Sequence, residues 1–221
     1  VLADLKPSGR YVMAELIKIG GLTPLMKRLL DRGLLHGDVM TVTGESLGDN
    51  IARAEVYNDD VIRTVKDPIY AEGALPVLRG NLAPDGCVIK PSACEPRFLK
   101  HTGPALVFDD QEDVLKAFKA GALARDCVVV VRYQGPRANG MPELHQLTPT
   151  LSSLQSKGFK VALVTDGRMS GASGAVPAAI HVTPECLGGG PLARVRDGDV
   201  IRLDSYSGIL EVRLDHAELM Q

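Results

Sequence analysis

Val161-Ala-Leu-Val-Thr-Asp-Gly-Arg-Met-Ser-Gly-Ala-Ser-Gly-Ala-Val-Pro177 is the stretch from which the rest of the chain is read. It opens on an apolar run, Val161 to Val164, short enough to be a fully buried strand. The run ends on Thr165-Asp166-Gly167, passes through the small residues Ser170-Gly-Ala-Ser-Gly174, and meets a second apolar run from Val176 to Val182. A core strand that ends in glycines and hydroxyls has the layout of a site, because glycine lets backbone approach a ligand closely. Arg168, Ser170 and Ser173 are thereby expected at the mouth of that strand. The same composition also serves ordinary turns. The stretch lacks both G-x-x-x-x-G-K-[ST] and G-x-G-x-x-G, so it is not read as a nucleotide cradle.

A second stretch has the same design. The apolar run Cys127 to Val131 leads into Arg132-Tyr-Gln-Gly-Pro-Arg-Ala-Asn-Gly-Met-Pro-Glu143, a loop of small residues carrying one acid. If the two strands are parallel neighbours in one sheet, both loops open at the same edge, and Glu143 comes near Ser170. The alternative is that Glu143 caps a helix starting there, where a carboxylate is favoured by the helix dipole.

Outward from these stretches the pattern is mixed. Val12, Leu16 and Ile19 have helical spacing, with Gly20-Gly21 as a stop. Thr23 is expected to cap a helix from Pro24 to Arg32, and Ser46 or Asp49 to start a short one through Ala54. Asn58 to Pro76 reads as an irregular linker. Beyond it, Val77–Leu82 and Cys87–Lys90 read as strands around a turn at Ala83-Pro-Asp-Gly86. Further strands are expected at Ala105–Phe108, Val128–Val131, Ala179–Val182, Asp199–Leu203 and Ile209–Leu214. Helices are expected over Asp109–Ala120 and Pro142–Ser156. The fold class is therefore α/β, with a barrel-like β domain flanked by helices, and the chain divides into a helical part with linker, 1–75, and a barrel part, 76–221.

The bulk composition excludes several functions. A net charge of -2 leaves no electrostatic footprint for nucleic acid or an anionic membrane. No apolar run is long enough to span a bilayer. With no Trp and few aromatics, the core must rest on Leu, Val, Ile and Ala. Cys87, Cys94, Cys127 and Cys186 form no C-x-x-C pair, so zinc or a locally ligated cluster is not signalled, and Cys127 reads as a small core residue. The opening Val1-Leu-Ala-Asp-Leu5 carries neither Met nor a signal-peptide pattern, and a piece of a longer cytoplasmic protein without disulfides is expected.

Six runs in order carry a family resemblance: Ala3-Asp-Leu-Lys-Pro-Ser-Gly-Arg-Tyr-Val12, Leu34-Leu-His-Gly-Asp38, Thr41-Val-Thr-Gly44, Gly80-Asn-Leu-Ala-Pro84, Gly140-Met-Pro-Glu143 and Thr165-Asp-Gly-Arg-Met-Ser-Gly171. Together they resemble the successive motifs of the dihydroxy-acid and sugar-acid dehydratases, over the whole chain. Asn139-Gly-Met-Pro-Glu-Leu-His145 and the run from Ser170 to Glu185 look most like members acting on 6-phosphogluconate. The resemblance implies loss of water from 6-phospho-D-gluconate to give 2-dehydro-3-deoxy-6-phosphogluconate, in the Entner–Doudoroff pathway. The alternatives are another sugar acid, a branched-chain 2,3-dihydroxy acid, or a non-catalytic binding or assembly domain that has kept the barrel.

The resemblance also implies a 4Fe-4S cluster and a divalent cation such as Mg2+. Ser170 matches the base, acting as an alkoxide, and Glu143 matches a ligand of the cation. Asp166 and Arg168 are implied to support the loop, with Ser173 as a second hydroxyl. Lys6, Ser8 and Arg168 are candidates for substrate binding, beside Arg10 and Arg137. No cysteine here matches a cluster position, so the cluster ligands are expected upstream. A swivelling β/β/α barrel preceded by helices of a larger N-terminal domain is the implied fold. That N-terminal domain and a second copy of the protein are the implied partners, with no nucleic acid and no membrane.

Overall fold

The computed structural model describes residues 1–6, 8–55, 58–71, 73, 75–91, 94–169, 175–214 and 218–219. The chain forms two compact units, Val1–Ala74 and Leu75–Gln221. No helix among the described residues is long and apolar enough to cross a membrane.

Among its described residues the first unit holds three short helices, α1 (Met13–Lys18), α2 (Leu22–Leu30) and α3 (Leu47–Ile51). Their core is small: Leu16, Val61 and Ile62, with Leu5, Tyr11, Ile19 and Leu25 packed around them. Of the helix starts expected from sequence, Ser46 caps α3, its hydroxyl accepting from the Asp49 N–H at 3.1 Å. Thr23 does not cap α2, which begins one residue earlier behind Gly21, whose φ is 71°. Pro24 then sits inside the first turn, where its missing N–H costs nothing because the first four N–H groups have no intrahelical partner.

The second unit is a closed eight-stranded barrel with helices outside it, a mixed α/β fold. The strands are β1 (Val77–Gly80), β2 (Ala83–Val88), β3 (Lys100–Phe108), β4 (Cys127–Val131), β5 (Val161–Thr165), β6 (Ala178–Thr183), β7 (Val200–Asp204) and β8 (Ile209–Val212). Around the barrel they run β1-β2-β6-β5-β4-β3-β7-β8. The pairs β3–β4, β4–β5 and β5–β6 are parallel. The crossovers carry α4 (Gln111–Lys119), α5 (Pro136–Asn139) and α6 (Leu147–Ser156).

The unbroken apolar character of β4 and β5 follows from this architecture. Val128, Val130, Ala162 and Val164 fill the barrel interior with Leu78, Ile201, Leu203 and Leu210. The alternate residues, Cys127, Val129, Val131, Val161 and Leu163, face outward onto Val114, Leu147, Leu151 and Leu154 from the helices. Both faces of these strands are buried, so neither shows a polar alternation. Each fully buried Val or Leu contributes about 1.5–3 kcal/mol relative to exposure.

The turn expected at Ala83–Gly86 lies instead within β2. The hairpin turns at Asn81-Leu82, because Gly80 pairs with Ala83. Leu78 pairs with Cys87, so four steps on β2 oppose two on β1, and the surplus is a bulge with Gly86 at φ 108°. Pro-Asp-Gly chemistry here bends a strand rather than closing a hairpin.

One buried histidine makes the barrel sensitive to acid. His101 on β3 is buried and its Nε2 lies 3.1 Å from the Cys127 carbonyl oxygen. Burial lowers its pKa below the ordinary imidazole value, against the opposing pull of the Cys127 carbonyl and Asp126. A lowered folded pKa means the unfolded chain binds the proton first as pH falls. The stability is therefore complete above about pH 6.5 and is lost as pH drops through the folded value. Melting temperatures measured from pH 7 to 5 are expected to fall more steeply for the wild type than for His101→Gln, which keeps a neutral donor. Equal slopes would remove His101 from the account.

Candidate functional site at the C-terminal edge of β4, β5 and β6

Because β4 and β5 are parallel, the loops that follow them leave the same edge of the barrel. The two loops stay paired beyond the strands. Glu143 and Arg168 form an isolated parallel bridge, and the Leu144 N–H donates to the Arg168 carbonyl at 3.2 Å. The side chains repeat this pairing. Arg168 Nη1 lies 3.2 Å from Glu143 Oε2, and its Nε donates to the Met141 carbonyl at 2.9 Å. Glu143 therefore does not cap a helix. The following helix, α6, begins four residues later at Leu147.

Asp166 fixes this edge from within. Its carboxylate is buried, and accepts the Gln134 N–H at Oδ1 and the Cys186 N–H at Oδ2, both at 2.9 Å. One side chain thus ties the loop after β4 and the turn after β6 to the loop after β5. It contacts only backbone donors in these bonds, and its role there is to position. Gln134 continues the network: its Nε2 donates to the carbonyls of Asp109 and Arg132, and its Oε1 accepts from Asn139 Nδ2.

Glu185 performs a related task at the start of α5. Its carboxylate accepts the Arg137 N–H, at 3.1 Å to Oε2, so a negative charge stands at the positive end of that short helix. This requires close approach: a Cβ on Gly135 would lie 2.2 Å from Glu185 Oε2. Arg137 itself is exposed, its Nε 3.9 Å from Glu185.

Among the described residues, three that are not glycine have left-handed backbones, and all three belong to this edge: Tyr133 at φ 58°, Met141 at 59° and His181 at 56°. Such strain costs of order 1 kcal/mol or more per residue and gathers where geometry is over-determined. Gln134, Asn139, Glu185 and His181 were not singled out from sequence. Apart from the contacts of Gln134 and Asn139 within one loop, their bonds reach segments distant in sequence, and no local pattern announces them.

Ser170 and Ser173 lie outside the described residues. Lys6 and Ser8 are exposed on the loop of the first unit between the bridged residues Leu5 and Tyr11. Arg10 on the same loop pairs with Asp4, Nε to Oδ2 at 2.6 Å.

The four cysteines are free and buried. Burial pushes the thiols of Cys87, Cys94 and Cys186 up to about 12 and that of Cys127 to about 11. Iron–sulfur clusters are held by thiolates. Buried, protonated thiols spread over separate elements do not fit such a group. Among the described residues no group of three or more His, Cys, Asp or Glu converges to hold a metal ion. Glu143 does fit as a single oxygen donor: it is a carboxylate about a quarter exposed at the loop edge, of the hard type that magnesium takes.

Comparison with known proteins gives two family matches. Residues 60–221 match the dihydroxy-acid/6-phosphogluconate dehydratase C-terminal domain, and residues 1–50 match the N-terminal domain of the same family. A phosphogluconate dehydratase of Pseudomonas aeruginosa is 49% identical over 98% of this chain and 38% of its own length. A phosphogluconate dehydratase of Escherichia coli is 46% identical over 99% and 38%. A dihydroxy-acid dehydratase of Methylococcus capsulatus is 47% identical over 99% and 39%. The chain spans less than two fifths of the length of these curated relatives. Their near-equal identities do not separate the two substrate classes.

Proposed function

The chain belongs to the dihydroxy-acid/6-phosphogluconate dehydratase family, and on that premise we propose that it is the C-terminal part of a hydro-lyase that dehydrates 6-phospho-D-gluconate to 2-dehydro-3-deoxy-6-phosphogluconate. The observation that carries this reading is the pairing of the loops after β4 and β5, with Glu143 against Arg168 two residues before Ser170. A β-elimination needs a base for the proton on C2 and something to acidify that proton, and these two loops bear a serine for the first and a carboxylate that can hold an acidifying cation for the second.

In this reading Ser170 takes the C2 proton, and nearby positive charge, including Arg168, lowers the cost of forming its alkoxide. Asp166 holds the loop that carries it. Glu143 is a ligand of a divalent cation, which when bound polarises the substrate carboxylate and makes the C2 proton more acidic. A pairing with Arg168 keeps Glu143 neutralised without that cation. Lys6 and Ser8 are candidate substrate contacts. The cysteines of this chain do not serve an iron–sulfur cluster, and its ligands are assigned to the portion of the enzyme that this chain does not include. That portion, a larger N-terminal domain against which the barrel swivels, and a second copy are the proposed partners, in the cytoplasm.

The test is anaerobic turnover by the complete enzyme of 6-phosphogluconate, gluconate and 2,3-dihydroxyisovalerate in parallel. A kcat/KM for 6-phosphogluconate at least about 100-fold above the others, equivalent to about 2.7 kcal/mol of transition-state discrimination, is expected. Preference for dihydroxyisovalerate would move the protein to the branched-chain branch of the family. No turnover of any acid would leave the barrel as a binding or assembly domain.

A further inference from the structure

His181 occupies a place that backbone economy alone does not explain. Val88 pairs with Ile180, and Gly86 with Thr183, so three steps on β6 oppose two on β2. The surplus residue makes a β-bulge. Its effect shows in the packing: Ala179 and Val182 both join the barrel interior, whereas Ile180 packs on the outer layer. His181 lies at this break in alternation with φ 56°, a left-handed conformation. Its N–H donates to the Gly167 carbonyl at 2.9 Å, directly between Asp166 and Arg168.

Glycine takes this backbone region without strain, and the chain uses it at neighbouring sharp points such as Gly140 and Gly189. A histidine here carries the strain. Tyr133, strained in the same way, is repaid by packing against the barrel core. The His181 imidazole is half-buried and makes no hydrogen bond or ion pair with a described residue. Bulges at barrel rims serve to re-aim a side chain.

We propose that His181 is a catalytic proton donor of the dehydration, protonating the departing C3 hydroxyl; this rests on the hydro-lyase reading above. The step balances. The base removes the C2 proton, and the C2–H electron pair forms the C2=C3 bond of an enol. The C3–O bond breaks with its electron pair on oxygen, which takes one proton from the imidazolium and leaves as water. The enol gains a proton at C3 from solvent as the C2 hydroxyl loses one, and base and imidazole return to their starting states through solvent. Imidazole suits this work because a ring N–H can pass its proton to a departing oxygen within hydrogen-bond reach. The charged groups on the elements packed against this part of β6 are Asp85 of β2, Asp166 and Arg168 after β5, and Glu185 beyond Pro184. Asp166 is committed to backbone N–H groups, Arg168 to Glu143, and Glu185 to Arg137.

The experiment compares wild type, His181→Asn and His181→Gly in the complete, cofactor-loaded enzyme, on the acid that the wild type turns over best. Both replacements accept the left-handed backbone, so the bulge survives. The expected result is a fall in kcat of about 100-fold with little change in KM. The melting temperature is expected to stay within a few degrees or rise for His181→Gly. A kcat within threefold of wild type overturns the proposal. So does a rise in KM alone, or a loss of rate matched by a loss of stability or of bound cofactor. If the wild type dehydrates none of the three acids, the hydro-lyase reading itself fails and this inference falls with it.

Discussion

Replacing Asp166 by alanine is expected to destabilise the barrel by about 3–5 kcal/mol, because two buried backbone donors lose a charged acceptor at once, each such bond being worth roughly 1.5–3 kcal/mol. The donors, Gln134 N–H and Cys186 N–H, come from different segments and have no water-facing alternative, since both residues are buried. For a chain of this size the loss corresponds to a drop in melting temperature on the order of 10 °C. Asp166→Asn should cost less, since its amide oxygen can still accept one of the two bonds while its NH2 opposes the other donor. A melting temperature within 2 °C of wild type for the alanine variant would mean that the loops are held by their own contacts. The same variant should lose turnover beyond its loss of folded protein, because the loop carrying Arg168 loses its tie to Gln134 and Cys186 and is left with its direct contacts to Met141, Glu143, Leu144 and His181.

The two stretches that open on buried strands were legible because burial on both faces leaves an uninterrupted apolar run, a signal that survives without knowledge of the neighbours. Parallel pairing of β4 with β5 opens both loops at one edge and brings Glu143 beside Arg168, while Ser170, the neighbour expected for Glu143, lies outside the described residues. Other features depend on cross-strand register, which no single segment encodes. Pro84-Asp85-Gly86 has the local chemistry of a turn, yet pairing with β1 and β6 makes it the bulged part of a strand. Asp166 was noticed as a loop residue, but its two donors stand 32 and 20 residues away in sequence. His181 sits in an apolar run and reads as one more strand residue until the register shift is seen. The chemistry of the site is a different matter. A serine after a glycine loop has no intrinsic basicity, and its assignment as base came from resemblance to a family rather than from spacing.

Ser170→Ala is accordingly the substitution from which the largest loss of activity is expected, about 10⁴-fold in kcat, the upper end of what a positioned acid or base contributes. The substitution removes one hydroxyl and no apolar volume. Stability should therefore be unchanged, in contrast to Asp166→Ala. Ser173→Ala should leave kcat within about threefold, an effect worth less than 1 kcal/mol in the barrier. Glu143→Gln separates the second role: it keeps the side chain's shape, removes the charge, and should raise the magnesium concentration needed for half-maximal rate by about tenfold or more. High magnesium should restore part of its activity, and none of that of Ser170→Ala. If magnesium restored neither or both variants equally, Glu143 would lose its assignment as a cation ligand. Full activity of Ser170→Ala would move the base elsewhere at this edge. The proton taken from C2 and the proton given to the leaving oxygen can then be assigned independently, since Ser170 and His181 belong to different segments of the sequence and each is removed by its own substitution.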